Sequence, residues 1–151
     1  MIIPGTPVWL DSVLKVGFAY ILSFPTAWFL EKESHAIGIR TFPIVAMASC
    51  AFVLLGAGPN GDMTAETSRI IQGLIAGIGF IGGGAILKDG TSVRGTATAA
   101  SVWNTGALGA AVAMGRYELA LILAALNLFT LRALAPIKQR LDHPEEQKKY
   151  E

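Results

Sequence analysis

The chain is poor in charged residues and in cysteine. Only 15% of its 151 residues are Asp, Glu, Lys or Arg, against about 25% in an average soluble domain. The single cysteine, Cys50, lies inside an apolar run, which excludes an intramolecular disulfide and argues against a cysteine-based metal site. The net charge of +1 and the lack of a basic cluster argue against a nucleic-acid partner. The N-terminus has no positive region of the kind that precedes a cleavable signal, so we expect the first apolar run to be retained.

The charges that are present separate long apolar runs. Five segments carry no charge: Val16–Leu30, Thr41–Gly61, Ile70–Leu87, Gly95–Gly115 and Leu119–Leu131. This pattern is typical of polytopic helical membrane proteins. It predicts an all-α transmembrane bundle with spans near 12–30, 41–58, 69–88, 97–114 and 117–136. Four spans are the alternative, because only two residues separate the last two runs. Residues 1–136 would form the membrane domain and 137–151 a short charged tail.

The basic residues predict the orientation of the bundle. Three of them fall on one side of the predicted membrane: Lys15, Arg69 and Arg116. Nine fall on the other: Lys32, Arg40, Lys88, Arg94, Arg132, Lys138, Arg140, Lys148 and Lys149. Positively charged loops stay in the cytoplasm. The N-terminus is therefore predicted outside and the C-terminus inside. Lys15 and Arg132 are expected to extend to the membrane surface from near helix ends.

The third run, Ile70–Leu87, contains six glycines. Residues Gly77–Gly82 match the dinucleotide spacing G-x-G-x-x-G, but the flanks are continuously apolar and no acidic residue stands about twenty positions on. A membrane interpretation uses the same glycines as two pairs at four-residue spacing, Gly73 with Gly77 and Gly79 with Gly83, on two faces of one helix. These are the predicted helix-packing residues, and the helix is predicted to be the central one. Alternatively, the triplet Gly82–Gly84 could break the helix next to a cavity.

No carboxylate lies within the five apolar runs, although proton relays and cation pathways generally use one. The runs do contain a set of polar residues that could either hydrogen-bond between helices or line a cavity: Gln72, Thr98, Ser101, Asn104, Thr105 and Asn127. At the cytoplasmic edge, a second set could form a salt-bridged cluster: Glu31, Glu33, Arg40, Lys88, Arg94 and Arg132. No nucleophile motif and no grouping of metal-ligand residues is present. We expect no enzymatic activity, no cofactor and no bound metal.

Three motifs resemble one known family. Leu30-Glu-Lys-Glu33 followed by Ala36–Thr41 is similar to the "GLERE…AGLRT" junction of MgtC/SapB-like membrane proteins. Ser68–Gly73 leading into Gly77–Gly84 resembles that family's "R…GIGFLGAG" helix, and Gly95–Trp103 resembles its "GLTTAASIW" segment. The match runs from about residue 12 to residue 136. The chain departs from the pattern at Lys32, Phe42 and Thr96-Ala97, where the family often has Arg, His and Leu-Thr.

The resemblance implies a protein of the bacterial inner membrane with four or five spans. Family members are associated with growth under Mg²⁺ limitation, with survival of pathogens inside host cells, and with restraint of the ATP synthase. Larger members carry a cytoplasmic domain after the last span, where this sequence has only its short tail. We therefore expect a modulator of Mg²⁺ homeostasis that lies in the lipid bilayer and contacts another membrane complex, the ATP synthase by resemblance, or a second copy of itself. The alternative is a transporter or channel for Mg²⁺ or another small ion.

Overall fold

The computed structural model describes residues 7–34, 38–58, 62–89 and 92–142 of the chain. Within these ranges it contains five helices and one short hairpin. The helices are α1 (Val8–Ser34), α2 (Thr41–Leu55), α3 (Ala65–Gly84), α4 (Thr96–Ala113) and α5 (Tyr117–Asp142). The hairpin strands, β1 (Leu87–Asp89) and β2 (Ser92–Arg94), lie between α3 and α4. The prediction of an all-α bundle with five helices is confirmed.

The turn between α2 and α3 is organised by threonines. The hydroxyl of Thr64 accepts a hydrogen bond from the backbone of Thr67 at 3.1 Å, and the hydroxyl of Thr67 accepts one from the backbone of Thr64 at 3.1 Å. This reciprocal cap provides acceptors for backbone N–H groups that the first turn of a helix leaves unpaired. Both hydroxyls also donate hydrogen bonds to the carbonyl oxygen of Gly56, just beyond the end of α2. The start of α3 is thereby attached to the end of α2.

Helix α4 is the centre of the bundle and packs against all four other helices. Its glycines allow this, because a Cβ at Gly109 would overlap the carbonyl oxygen of Ala46 in α2 and a Cβ at Gly106 would overlap the side chain of Ile78 in α3. The prediction that α3 is the central helix is therefore wrong. Helix α3 lies at the side of the bundle against α4 and α2, and only three of its residues are buried: Thr67, Ile78 and Gly82.

Two apolar clusters fill the bundle. One lies among α1, α2, α4 and α5 and includes Ala19, Cys50, Val53, Leu108, Val112 and Ala120. The other lies towards the C-terminal end of α1 and includes Ala27, Leu30, Phe42, Val45, Ile78 and Val102. Small residues dominate the first cluster, which lets helix backbones come close together.

The connection after α3 differs from the predicted polar loop. The third run was expected to stay helical to residue 88, but α3 ends at Gly84 and the chain forms an antiparallel hairpin in which Leu87 pairs with Arg94. The glycine triplet is therefore the last turn of a continuous helix rather than an interior break. Gly95 joins the hairpin to α4 at φ +84°, where a Cβ would overlap the carbonyl oxygen of Ala85. Only glycine adopts this conformation at low cost.

Two helical segments in the described part of the chain are long and apolar enough to cross a membrane, Val8–Lys32 and Tyr117–Ala135. Helix α2 is apolar but shorter, at 15 residues. Large apolar side chains on the outside of the bundle include Ile21 on α1, Phe80 on α3 and Phe129 on α5, each at least two thirds exposed. A surface of this kind is suited to contact with lipid. The structure thus defines a helical membrane bundle with at least two candidate spans.

Candidate functional site

A groove lies between α2 and α3, and its walls are almost entirely apolar. Its volume is about 460 Å³. It is lined by Ile44, Val45, Ala48, Ser49 and Phe52 of α2 and by Ile70, Gly73, Leu74, Gly77, Ile78 and Ile81 of α3. The first predicted glycine pair, Gly73 with Gly77, lies on its α3 wall.

None of the four predicted packing glycines is covered by another helix in the part of the chain that the structure describes. Within the described structure, a Cβ built at Gly73, Gly77, Gly79 or Gly83 would have no neighbour within 4 Å outside its own helix and adjacent residues. Gly82, which was not singled out for packing, does approach α4, with a Cβ position 3.1 Å from the carbonyl oxygen of Ala99. Packing through the four predicted glycines remains a prediction, and no described residue of another helix takes part in it.

A buried polar atom lies next to the groove. Ser49 is one of the lining residues, but its side chain packs towards Gly109 of α4, and among the described residues its buried hydroxyl has no hydrogen-bond partner. Ser49 is 1% exposed. A buried hydroxyl without a partner costs free energy, so such groups are usually paired in a complete native structure. The sequence does not predict a role for Ser49, because a single serine in an apolar run belongs to no recognisable pattern.

The predicted polar residues on α4 and α5 form hydrogen bonds between the two helices. The hydroxyl of Ser101 donates to Oδ1 of Asn127 at 3.1 Å, and the side-chain amide of Asn104 donates to the carbonyl oxygen of Leu123 at 3.3 Å. Thr105 donates to the carbonyl oxygen of Ser101 at 2.8 Å within α4. These contacts correspond to the hydrogen-bonding alternative for this set.

The other two residues of the polar set are placed differently. Thr98 is buried on α4, whereas Gln72 is exposed on α3. Gln72 lies on α3, whereas the hydrogen bonds of the set join α4 to α5. Neither the α2–α3 groove nor a second groove between α1 and α5 is lined by a residue of the polar set. A shared polar cavity stays a prediction.

The predicted salt-bridged cluster at the cytoplasmic edge does not form among the described side chains. Oε2 of Glu31 instead accepts a hydrogen bond from the backbone of Ile39 at 3.0 Å, which closes the connection between α1 and α2. The adjacent Gly38 is required there, because a Cβ would overlap this carboxylate. Arg40 is exposed, and the side chain of Glu33 lies outside the described part of the chain.

The remaining members of that set are distributed over two sites. Lys88 and Arg94 are exposed on the hairpin, at adjoining positions of the two strands. Arg132 on α5 lies over the ring of Phe29 on α1, with 5.8 Å from Cζ to the ring centroid. The structure therefore places these cations at the same end of the bundle without joining them through a carboxylate whose side chain is described.

A buried ion pair near the start of α1 was missed by sequence reasoning. Nζ of Lys15 lies 2.8 Å from Oδ2 of Asp11, and the two side chains are 2% and 4% exposed. The expectation that Lys15 extends to the membrane surface is wrong, because the acid one turn earlier holds it inside the bundle. The four-residue spacing of Asp11 and Lys15 is compatible with an ion pair along one helix. Asp11 precedes the apolar run and lies outside the predicted span, so the sequence does not indicate that the pair is buried.

Taken together, the fold and these surfaces define a helical membrane protein whose polar interior groups are mostly paired and whose α3 side is open. A family model described as MgtC family matches residues 17–140. The chain belongs to the MgtC family.

Curated relatives support this membership and link the family to Mg²⁺ handling. The chain is 33% identical to Protein SrpB of Synechococcus elongatus over 82% of this chain and 74% of that protein. It is 30% identical to Protein MgtC of Salmonella typhimurium over 88% of this chain and 62% of that protein. It is 31% identical to the "Putative magnesium transporter YhiD" of Escherichia coli over 74% of this chain and 54% of that protein. The chain thus spans about half to three quarters of the length of these relatives. No solved structure matches it.

Proposed function

We propose that the protein is a multi-pass component of the bacterial inner membrane that modulates another membrane complex in Mg²⁺ homeostasis, without catalysis. The groove between α2 and α3 would be the contact surface, and a transmembrane helix of the partner would occupy it. The family membership supports the link to Mg²⁺. The groove supports the mode of action.

The uncovered glycine pair in the groove carries this proposal. A glycine in a helix interior costs about 1 kcal/mol relative to alanine. In membrane proteins that cost is offset where small residues let a second helix approach closely. Gly106 and Gly109 on α4 are used in this way inside the chain, but Gly73 and Gly77 on α3 have no such neighbour among the described residues. A partner helix would make use of them.

The α4–α5 interface favours a modulator over a transporter. Ser101, Asn104 and Asn127 are engaged in contacts between helices. Groups used in this way stabilise the bundle and are not available to replace the water around a passing ion. The membrane part of the ATP synthase, expected from the resemblance, is one candidate partner, and a second copy of the chain is another.

Affinity capture of the full chain from native membranes tests this proposal. The wild-type protein should capture a membrane complex at low Mg²⁺ and less of it at high Mg²⁺. Gly77→Leu should abolish the capture, because a leucine would fill the groove. Gly83→Leu on the other exposed face shows whether that face contributes as well.

Ala76→Leu is the matched control for the groove, since Ala76 is exposed on α3 and does not line the groove. Ala76 is seven residues before Gly83, so the two residues share a helix face. If the groove alone makes the contact, Ala76→Leu and Gly83→Leu should both retain the captured complex. Equal capture by the wild type and Gly77→Leu would contradict the proposal, provided that both are present in the membrane in equal amounts.

Ion transport is the second candidate function, and the buried Asp11–Lys15 pair is the observation that favours it. Ionisable residues inside a membrane bundle often mark ion or proton pathways. The relative named "Putative magnesium transporter YhiD" points in the same direction. Reconstitution of the protein into liposomes with a Mg²⁺-sensitive or proton-sensitive dye decides between the two functions. Flux above that of empty vesicles, lost in Asp11→Asn, would establish transport, whereas no flux would remove it.

A further inference from the structure

A second groove lies between α1 and α5 at the end of the bundle that carries most of the basic residues. Its volume is about 470 Å³. Its α1 wall includes Phe24, Trp28 and Lys32, and its α5 wall includes Leu128 and Arg132. The proposed function makes no use of this groove.

The two walls have matching patterns. On α1 the residues follow one another at four-residue spacing, so that they share a helix face. The rings of Phe24 and Trp28 stack with centroids 6.4 Å apart. On α5, Leu128 and Arg132 have the same spacing. Each wall is therefore apolar along one part and ends in a cation.

Aromatic rings hold both cations in place. Nζ of Lys32 lies 5.1 Å from the ring centroid of Trp28, and Cζ of Arg132 lies 5.8 Å from that of Phe29. A cation over an aromatic face is attracted to the ring but keeps its full charge. Both side chains are exposed, so they remain accessible to a ligand.

No carboxylate described by the structure neutralises these two cations. The ion pairs of the described residues are Asp11 with Lys15 and Arg116 with Glu118. Glu31, the residue next to Lys32, is bonded to the backbone of Ile39 instead. The groove thus presents two positive charges at one end, and no acid whose side chain the structure describes is bound to them.

The groove is apolar at one end and positively charged at the other, and it is long enough to reach from the membrane interior to its surface. From Phe24 to Lys32 the helix rises by about 12 Å, enough to pass from the hydrocarbon region to the headgroup region of one leaflet. Trp28 lies between Phe24 and Lys32, and tryptophan is enriched at the boundary between the hydrocarbon and headgroup regions. A ligand that matches the groove has an apolar chain at one end and a negative charge at the other.

We propose that this groove binds an anionic phospholipid of the adjacent leaflet, with its phosphate between Lys32 and Arg132 and an acyl chain along Phe24 and Leu128. Basic grooves between membrane helices recognise lipid headgroups in this way. Arginine can hold two phosphate oxygens with its planar fork, and lysine adds a point charge. The lipid would connect α1 and α5, the two described helices that pass the length and hydropathy criteria for a membrane span.

Native mass spectrometry of the full chain, released from bilayers of phosphatidylcholine and phosphatidylglycerol, tests the proposal. The wild type should retain phosphatidylglycerol in preference to phosphatidylcholine. The double variant Lys32→Gln/Arg132→Gln should lower that preference at least about tenfold. Lys32→Arg/Arg132→Lys, which keeps both charges, should retain most of it.

The matched control is Lys88→Gln/Arg94→Gln, which removes two exposed cations from the hairpin at the same end of the bundle. It should lower the preference by less than about threefold, because charges outside the groove act only through the screened surface potential. An equal loss in both double variants, or no loss in either, would overturn the proposal.

A competition experiment separates a lipid headgroup from a soluble phosphate. Excess inorganic phosphate should leave the bound phosphatidylglycerol in place, since it has no acyl chain to fill the apolar part of the groove. Complete displacement by inorganic phosphate would show an anion site rather than a lipid site. The unfolding temperature provides a second measurement in case the double variants fold poorly. Phosphatidylglycerol should raise the unfolding temperature of the wild type in detergent, and the single variants Lys32→Gln and Arg132→Gln should each reduce that rise.

Discussion

Helices α3 and α4 are both rich in glycine, yet their glycines have opposite surroundings. On α4, a Cβ at Gly106 or Gly109 would overlap atoms of a neighbouring helix. On α3, a Cβ at Gly73 or Gly77 would meet no other helix within 4 Å in the described structure. The same residue type is thus an internal packing device in one helix and an open surface in the other.

This contrast shows that a glycine motif predicts the ability to pack closely but not the identity of the partner. The four-residue glycine pairs of α3 have the spacing associated with close helix contacts. The closest internal contacts are nevertheless made by α4, where Gly106 and Gly109 are three residues apart. Where glycines are covered, the fold depends on them, and where they are open, the proposed contact with a partner would depend on them.

The largest expected effect concerns the buried ion pair between Asp11 and Lys15. Asp11→Ala would remove the carboxylate that lies 2.8 Å from the buried Nζ of Lys15. We expect the free energy of unfolding to fall by about 3 kcal/mol or more, as for other buried pairs that lose one member. Chemical denaturation in detergent micelles, followed by circular dichroism, measures it.

Two controls define the origin of that effect. Asp11→Leu/Lys15→Met removes both charges and should restore much of the stability. Glu118→Gln breaks the exposed pair between Arg116 and Glu118 and should change the stability little. Wild-type stability in Asp11→Ala would show that water or another group compensates the charge of Lys15. It would contradict the expectation that the buried ion pair stabilises the bundle.

The next effect concerns the closed glycine on α4. Gly109→Ala should lower the free energy of unfolding by about 2 kcal/mol, because the added methyl group would overlap the carbonyl oxygen of Ala46 and separate α2 from α4. The midpoint of thermal unfolding in detergent measures this change. An unchanged midpoint would mean that α2 and α4 can separate without loss, and the distinction between closed and open glycines would disappear.

A smaller effect is expected at the α4–α5 interface. Ser101→Ala removes the hydrogen bond to Asn127 and should lower the free energy of unfolding by about 0.6 kcal/mol, the average for such bonds in membranes. Thr130→Ala on the exposed face of α5 is the control and should have no measurable effect. If the two variants have equal stability, the polar set does not stabilise the interface, and the cavity alternative gains support.

The smallest effect on the fold has the opposite sign. Gly77→Ala should leave the free energy of unfolding unchanged or raise it by at most about 1 kcal/mol, since alanine favours the helix and meets no neighbour. The same variant in native membranes should weaken capture of the partner. Destabilisation of the isolated protein as large as in Gly109→Ala would show that α3 packs more closely within the chain than described.

Much of the fold could be predicted from the pattern of charges and apolar runs. The five predicted spans each overlap one observed helix, because a helix has to satisfy its backbone within a membrane and its polar connectors have to leave it. The helix ends were less predictable. The third helix ends four residues early, at Gly84 rather than residue 88, because the hairpin pairs Leu87 with Arg94 and competes for the same backbone.

The candidate sites were predicted less well than the helices. The polar residues of α4 were correctly placed on one face by their spacing, but their partners on α5 depend on how two helices meet. Glu31 was expected to pair with a side chain, and it bonds to the backbone of Ile39 instead. Ser49 and the Asp11–Lys15 pair were not identified, because neither burial nor an unpaired hydroxyl can be read from residue types.

The sequence by itself determined the class of protein, the order of its five helices and its membership of the MgtC family, since these depend on composition and on motifs that are contiguous in the chain. Only the tertiary structure decided that α4 rather than α3 is central, and that the glycines of α3 are open. The physical reason is that each helix can offer a close-packing face, but neighbouring helices compete to cover it. Which face remains uncovered is set by the whole arrangement and not by any one segment.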